Sequence, residues 1–386
     1  MSSSDEAWPW NLTELAHCPR LYPMSEWEDG DIKALFYEGL PYQGRQTRVF
    51  AYYALPEPAC GKKVPAIVLV HGGGGTAFKE WVQLWRDRGY AALAMDLEGQ
   101  LPLEKNSRGE RPRHEWGGPA RQGIFADYGQ PLQDQWMYHA VADVILAHSI
   151  LRSCERVDAD RIGVTGISWG GVVASLVAGV DRRLAFAIPV YGCGYLYEAD
   201  NQYGHSFESM PPEASAKVKR LWDPSSFLHR VSIPMLWVNG SDDPHFPLHL
   251  TGRSYRTAHN GIDESALSIH FGLSHSHRAG WEPEEIYSFA DQMTRGGKPL
   301  VQIVRQEMEG NQVKVQFRSD IAVSQAELRV SRNVSDWFKA EWEAIEARIE
   351  QDSCEISAEL PERAAAYFFQ IKDGWGRLVS TPPVTL

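Results

Sequence analysis

The chain is 386 residues long, enough for one large domain with a smaller one beside it, and its 43% hydrophobic and 23% charged residues are the balance of a globular protein. A formal net charge of −12 argues against nucleic acid and against an anionic membrane surface as partners, because both would be repelled. Five cysteines, Cys18, Cys60, Cys154, Cys193 and Cys354, are odd in number and show no C-x-x-C spacing, which indicates neither a disulfide framework nor a zinc site.

Met1 to Trp10 carries acids and no apolar core, so a cytoplasmic chain is expected, or a secreted one if a leader has been trimmed. No apolar run reaches the ~20 residues of a bilayer span. Residues 1–34, rich in Trp, Pro and acids without a period, are expected to wrap the main domain. Ala34 to Leu55 alternates as strands about a turn at Gln43-Gly44, an antiparallel hairpin. Val64 to Val70 is continuously apolar, as in a strand buried on both faces of a parallel sheet, and it ends in His71 and four glycines, Gly72 to Gly75. That turn can aim N–H groups at an anion, but no Gly-Lys-Ser/Thr follows, so phosphate-loop chemistry and a cofactor are not expected. The next helix buries Phe78, Trp81, Val82 and Trp85 and stops at Gly89, before a second buried strand, Ala91 to Met95.

Leu97 to Pro131 is a long polar loop at the carboxyl end of that strand, expected to line a substrate pocket, with Trp116 as a contact. A helix over Gln133 to Arg152 leads to the stretch that organises the chain, R-I-G-V-T-G-I-S-W-G-G from Arg161 to Gly171. An apolar strand breaks at Gly166-Ile167-Ser168-Trp169-Gly170 and a helical run follows, which is the strand-turn-helix context of a nucleophile elbow. Leu184 to Val190 is the next strand. Gly194 to Asp223 is read as an aromatic insertion, a lid or pocket wall carrying Tyr195 and His205. Pro234 to Val238 ends in an acid loop with Asp242 and Asp243, and Ala266 to Phe271 ends in a loop with His275 and His277, followed by Trp281 and an amphipathic helix. From Pro299 the period becomes two, as in a small β-sandwich, with Trp337, Trp342 and Trp375 read as core.

Strands alternating with helices predict an α/β fold, a doubly wound, mostly parallel sheet whose ligands sit at the carboxyl ends of the strands. Ser168, Asp243 and His275 stand in the order nucleophile, acid, histidine, each just past a buried strand. Serine needs a histidine base, and the histidine needs a carboxylate to hold its tautomer. Gly73 (or Gly74) and Trp169 are the expected oxyanion donors. At this level Asp242 competes with Asp243, and His277 with His275. A metal site built from His275, His277 and Asp243 is not expected, since it leaves the elbow unexplained.

These motifs, V-L-V-H-G-G-G-G-T-A-F, the elbow, V-N-G-S-D-D-P-H-F-P and S-H-S-H-x-x-G-W, resemble the α/β-hydrolase superfamily over roughly residues 35 to 296, and within it the acetyl xylan esterase and dienelactone hydrolase-like branch. The resemblance implies Asp243 as the acid, three residues after the loop glycine. Ser168 departs from the cysteine of dienelactone hydrolases proper. The expectation is a serine carboxylic-ester hydrolase that deacetylates a carbohydrate or a similar small ester, with residues 1–34 as a wrapping segment, 35–297 as the catalytic domain and 298–386 as a β-sandwich domain. Substrate contacts are expected at Trp116, Tyr195, His205 and Trp281, with no metal, no nucleic acid and no membrane, and with a homo-oligomer left open. The competing readings are a serine peptidase of the prolyl oligopeptidase type and a silent binding protein on a hydrolase scaffold.

Overall fold

The computed structural model describes residues 9–57, 61–259 and 261–386, so Cys60 and the first eight residues lie outside it. The chain divides into two compact units. The first runs through Ile162 and takes back Glu208–Trp222; the second is Gly163–Phe207 and Asp223–Leu386.

In the first unit the elements are α1 (Leu12–Leu15), β1 (Leu21–Pro23), β2 (Lys33–Glu38), β3 (Arg48–Ala54), β4 (Val64–Val70), α2 (Lys79–Asp87), β5 (Ala91–Met95) and α3 (Trp136–Ser153). The strands lie in the order β1, β2, β3, β5, β4. The opening hairpin is antiparallel, and Gln43 and Gly44 turn it with φ of 50° and 74°, the left-handed pair that a tight hairpin needs. Three residues of the expected wrapping segment, Leu21–Pro23, extend the sheet by an edge strand on β2. β4 and β5 are parallel and buried at every position, which accounts for their unbroken apolar sequence. The residues between β5 and α3 form no α-helix or multi-residue strand apart from a short 3-10 turn at Leu132–Asp134.

β6 (Val157–Ile167) carries the chain into the second unit, where α4 (Trp169–Val180), β7 (Phe186–Val190) and α5 (Gln202–Ser209) follow. After α6 (Pro212–Trp222), which belongs to the first unit, come α7 (Ser225–Leu228), β8 (Leu236–Gly240), α8 (Leu248–His259), β9 (Ala266–His270), α9 (His277–Gly280) and α10 (Glu284–Arg295). β6, β7, β8 and β9 are successive parallel neighbours. Their carboxyl ends therefore fall side by side, about 4.8 Å from strand to strand. The stretch read as an aromatic insertion is largely helical: Tyr203 and Phe207 are buried on α5, and α6 buries Val218 and Trp222.

The remaining strands are β10 (Gln302–Glu309), β11 (Gln312–Arg318), β12 (Val323–Ser331), β13 (Glu343–Glu346), β14 (Arg348–Glu350), β15 (Glu355–Glu359), β16 (Ala366–Asp373), β17 (Leu378–Ser380) and β18 (Val384–Thr385). They form the small C-terminal β-sandwich, one sheet ordered β10, β11, β15, β14 and the other β13, β12, β16, β17, with β18 also on β16. Val313, Val315 and Phe317 alternate into the core as their period predicts. β16 is buried at six consecutive positions instead, from Ala366 to Ile371. The reason is a second neighbour: Gln370 donates to the Ile269 carbonyl, and Ser268 donates to the Leu378 carbonyl, so β9 covers what a lone sandwich would leave to solvent. Of the tryptophans read as core, Trp337 and Trp342 are half-buried and Trp375 is 62% exposed, because all three sit in connections rather than in the alternating strands. Among the described residues no helix is long and apolar enough to cross a membrane.

Candidate active site

Ser168 caps α4 at the end of β6 with φ 57° and ψ −117°, a backbone state that a side chain occupies only when its surroundings hold it there. What holds it is glycine packing. A Cβ on Gly166 would lie 2.0 Å from the Gly170 carbonyl oxygen, and one on Gly171 would lie 2.7 Å from that of Val190, so the first turn of α4 presses directly on β7. Ser168 N–H donates to the Val190 carbonyl at 2.8 Å, fixing the turn from the other side.

The acid loop after β8 decides between its two carboxylates by backbone hydrogen bonding. Asp243 is 4% exposed, and its Oδ1 accepts the N–H groups of His245 at 2.8 Å and Phe246 at 2.7 Å, whereas Asp242 is exposed. The second oxygen of Asp243 lies 2.6 Å from His275 Nδ1, and His275 Nε2 lies 2.9 Å from Ser168 Oγ. His277 starts α9 instead, behind the Ser276 cap. The chain thus brings Ser168, His275 and Asp243 into one line of hydrogen bonds: hydroxyl, imidazole, carboxylate. Such a line can take a proton from the hydroxyl onto Nε2 while the carboxylate holds the other nitrogen protonated.

The imidazole of His275 is enclosed by three rings. Tyr191 and His245 have centroids 4.6 Å from it, and Phe246 lies nearly parallel at 6.1 Å. Tyr191, first residue past β7, has φ 56°, and its hydroxyl donates to the Ser274 carbonyl at 2.8 Å, which ties down the residue before His275. Burial pushes the Tyr191 phenol up, so it stays a neutral donor. Burial, helped by the neighbouring His275, pushes His245 down and keeps it uncharged. Its Nδ1 accepts from the Gln202 amide at 2.8 Å, and its carbonyl accepts from Asn201 at 2.9 Å, so the segment entering α5 is tied to the acid loop. None of Tyr191, His245 or Phe246 was a sequence candidate. Their one signal was position, directly past β7 and directly past Asp243.

Trp169 is the first residue of α4, at the positive end of the helix dipole, with its ring 5.6 Å from Tyr203. In the first unit, Gly73 lies in the turn closed by Gly75 N–H on the Gly72 carbonyl, where Gly74 takes the left-handed position at φ 68°. His71 there is structural: Nε2 accepts from Leu97 N–H at 2.9 Å, and Nδ1 donates to the Gly72 carbonyl at 2.7 Å. Trp116, also in the first unit, carries the Arg48 guanidinium 4.1 Å from its ring and packs on Phe36. Tyr195 bonds Thr257 at 2.8 Å and lies under Arg253, and exposed His205 stands 3.9 Å from Asp200. Trp281 closes α9, its carbonyl accepting from Tyr287. Among the described residues no three His, Cys, Asp or Glu are placed to hold a metal ion.

Comparison with known proteins adds the following. A family model described as acetyl xylan esterase matches residues 3–199, just over half of the chain, and one described as the prolyl oligopeptidase family matches residues 121–297. A curated relative, the uncharacterized peptidase YuxL of Bacillus subtilis (strain 168), is 28% identical over 204 residues, which is 48% of this chain. The chain spans only 26% of that relative's length. Among solved structures, an acetyl xylan esterase from Paenibacillus sp. R4 superposes with a TM-score of 0.53 at 20% identity, covering 73% of this chain and 92% of its own. Acetyl xylan esterase 1 from Thermoanaerobacterium sp. JW/SL YS485 does so with a TM-score of 0.53 at 18% identity, covering 74% and 94%. These likenesses show a shared α/β-hydrolase fold.

Proposed function

This chain belongs to the acetyl xylan esterase (AXE1) family, and from that premise we propose that it is a serine carboxylic-ester hydrolase that removes acetyl groups from a carbohydrate or a similar small alcohol. The observation that carries this reading is the 2.9 Å and 2.6 Å pair of hydrogen bonds that His275 makes to Ser168 and Asp243. Ser168 Oγ attacks the ester carbonyl as His275 Nε2 takes its proton, and the Trp169 N–H receives the developing oxyanion. The imidazolium then gives the proton to the departing alcohol, leaving an acetyl-serine. Water, deprotonated by the same imidazole, releases acetate and restores the hydroxyl. Asp243, 2.6 Å from His275 Nδ1, holds the imidazole's tautomer throughout. A net charge of −12 favours an uncharged ester over an anionic one. In this reading residues 35–297 are the catalytic domain and 298–386 the accessory sandwich.

The test is hydrolysis of p-nitrophenyl acetate and butyrate by the wild type and by Ser168→Ala, followed by acetate release from acetylated xylo-oligosaccharides. Loss of a factor of about 10⁴ or more in the variant is expected. An inactive wild type, or a variant that keeps its rate, overturns the assignment. The prolyl oligopeptidase match over residues 121–297 favours a second reading, a serine peptidase using the same three residues. Turnover of peptide p-nitroanilides without turnover of esters would select it.

A further inference from the structure

The mouth of the β12–β13 hairpin holds a groove of about 560 Å³, lined by Arg332, Asn333, Lys339, Glu341, Trp342 and Glu343 among others. Its size is that of a small-molecule site. The hairpin pairs Val330 with Glu343, so residues 332–342 are its connection, with a 3-10 turn at Trp337–Lys339. Within that connection two indoles are packed on rings of the fold rather than left loose. Trp337 lies 4.7 Å from His249 on α8, and Trp342 lies 6.2 Å from Trp337 and 4.9 Å edge-on from Phe368 of β16.

Two features define what the groove accepts. The Trp342 side chain is half-buried, but its Nε1 is inaccessible and has no partner, so the exposed part of the indole is hydrocarbon. Such a surface attracts the C–H face of a ring and offers no hydrogen bond. The cations around it are already neutralised: Arg332 pairs with Glu343 at 3.3 Å, and Lys339 pairs with Asp336 at 2.7 Å. Neither cation waits for an anionic ligand. The polar groups left over are the side-chain N–H groups of Asn333, whose Oδ1 is taken by Ser335 N–H, and the exposed carboxylate of Glu341. A donor and an acceptor beside a hydrocarbon face match vicinal hydroxyls on a pyranose.

We propose that this groove, which Ser168, Asp243 and His275 do not line, is a binding site for a neutral oligosaccharide, stacked on Trp342 and hydrogen-bonded by Asn333 and Glu341. It would hold a polymeric substrate at the protein surface and raise the local concentration of its acyl groups. The choice of a xylan probe rests on the proposed ester chemistry; the groove itself does not.

The experiment titrates full-length Ser168→Ala, which cannot turn over an ester, with xylohexaose and cellohexaose by calorimetry and tryptophan fluorescence. The expected result is saturable binding with a Kd on the order of 10⁻⁴ M. Trp342→Ala should weaken it about tenfold or more, and Trp342→Phe should largely keep it. Because Trp342 also packs on Phe368, two variants at exposed positions leave the connection intact: Glu341→Ala, and Asn333→Asp, which keeps the acceptor for Ser335 N–H and removes only the side-chain donors, each expected to cost about threefold to tenfold. Absence of binding by both hexasaccharides, or binding that Trp342→Ala, Asn333→Asp and Glu341→Ala all leave intact, overturns the proposal. Neither result bears on esterase activity, which Ser168 variants test separately.

Discussion

Asp243→Asn tests the orientation of one proton. Oδ1 of Asp243 receives two backbone N–H groups, at 2.8 Å and 2.7 Å, while Oδ2 faces His275 Nδ1 at 2.6 Å. An asparagine must put its carbonyl where the two N–H donors point. Its NH₂ then takes the Oδ2 position and donates to Nδ1. The imidazole is driven into the tautomer with its proton on Nε2, which faces Ser168 Oγ at 2.9 Å and can no longer accept from it. The flipped amide, which would keep the working tautomer, leaves two buried N–H groups facing another donor, at about 1–3 kcal/mol each. The side chain keeps its shape, so folding should survive, while kcat/KM for p-nitrophenyl acetate should fall about 10⁴-fold, or about 5–6 kcal/mol. Steady-state kinetics beside a circular dichroism melt reads both. Asp242→Asn, at an exposed position, is the control and should stay within about twofold. A folded Asp243→Asn enzyme that keeps more than about a tenth of its rate would refute the argument.

Removing the Tyr191 hydroxyl with Tyr191→Phe deletes its bond to the Ser274 carbonyl and should lower kcat about threefold to tenfold at constant KM; no change in kcat would mean that the loop needs no anchor. In the first unit, burial pushes the Asp96 carboxyl up from 3.8 to about 6. A folded-state value above the unfolded one means that the folded chain holds the proton longer. Stability from this group is therefore full below about pH 4, declines as pH rises to about 6 and is level above, a loss of about 3 kcal/mol. Asp96→Asn keeps an oxygen for the N–H groups of Glu98 and Gln100 and should gain on the wild type between pH 4 and pH 7 in urea midpoints; a pH-independent difference would sink this reading. Gly166→Ala places a methyl 2.0 Å from the Gly170 carbonyl oxygen and should cost more than about 3 kcal/mol, seen as insoluble or destabilised protein; a soluble variant with the parent's melting temperature would contradict the packing described for the elbow.

Local physics is legible in a sequence wherever one short segment contains the whole cause. The elbow is such a case, since the Gly166 to Gly171 run carries its own reason for the turn, and so is the hairpin at Gln43-Gly44, whose two left-handed residues sit next to each other. The order Ser168, Asp243, His275 and the apolar runs of β4 and β5 belong here too. Period two located β11, β12, β15 and β16 because a strand's alternation is written along its own length. Where the deciding partner lies far along the chain, that information is missing. Ser168 and His275 meet across 107 residues, and Asp243 and His275 across 32, while the equally acidic Asp242 is left exposed. The double burial of β16 depends on β9, about a hundred residues upstream, and the ring enclosure of His275 depends on loops from three strands. Likewise Trp337 and Trp342 read as sandwich core from the sequence, while the fold sets them half-buried in a connection. The sequence by itself determined the turns, the periods and the order of the chemistry; the tertiary structure alone decided which of two like residues does the touching, because contact is a property of two segments and is encoded in neither.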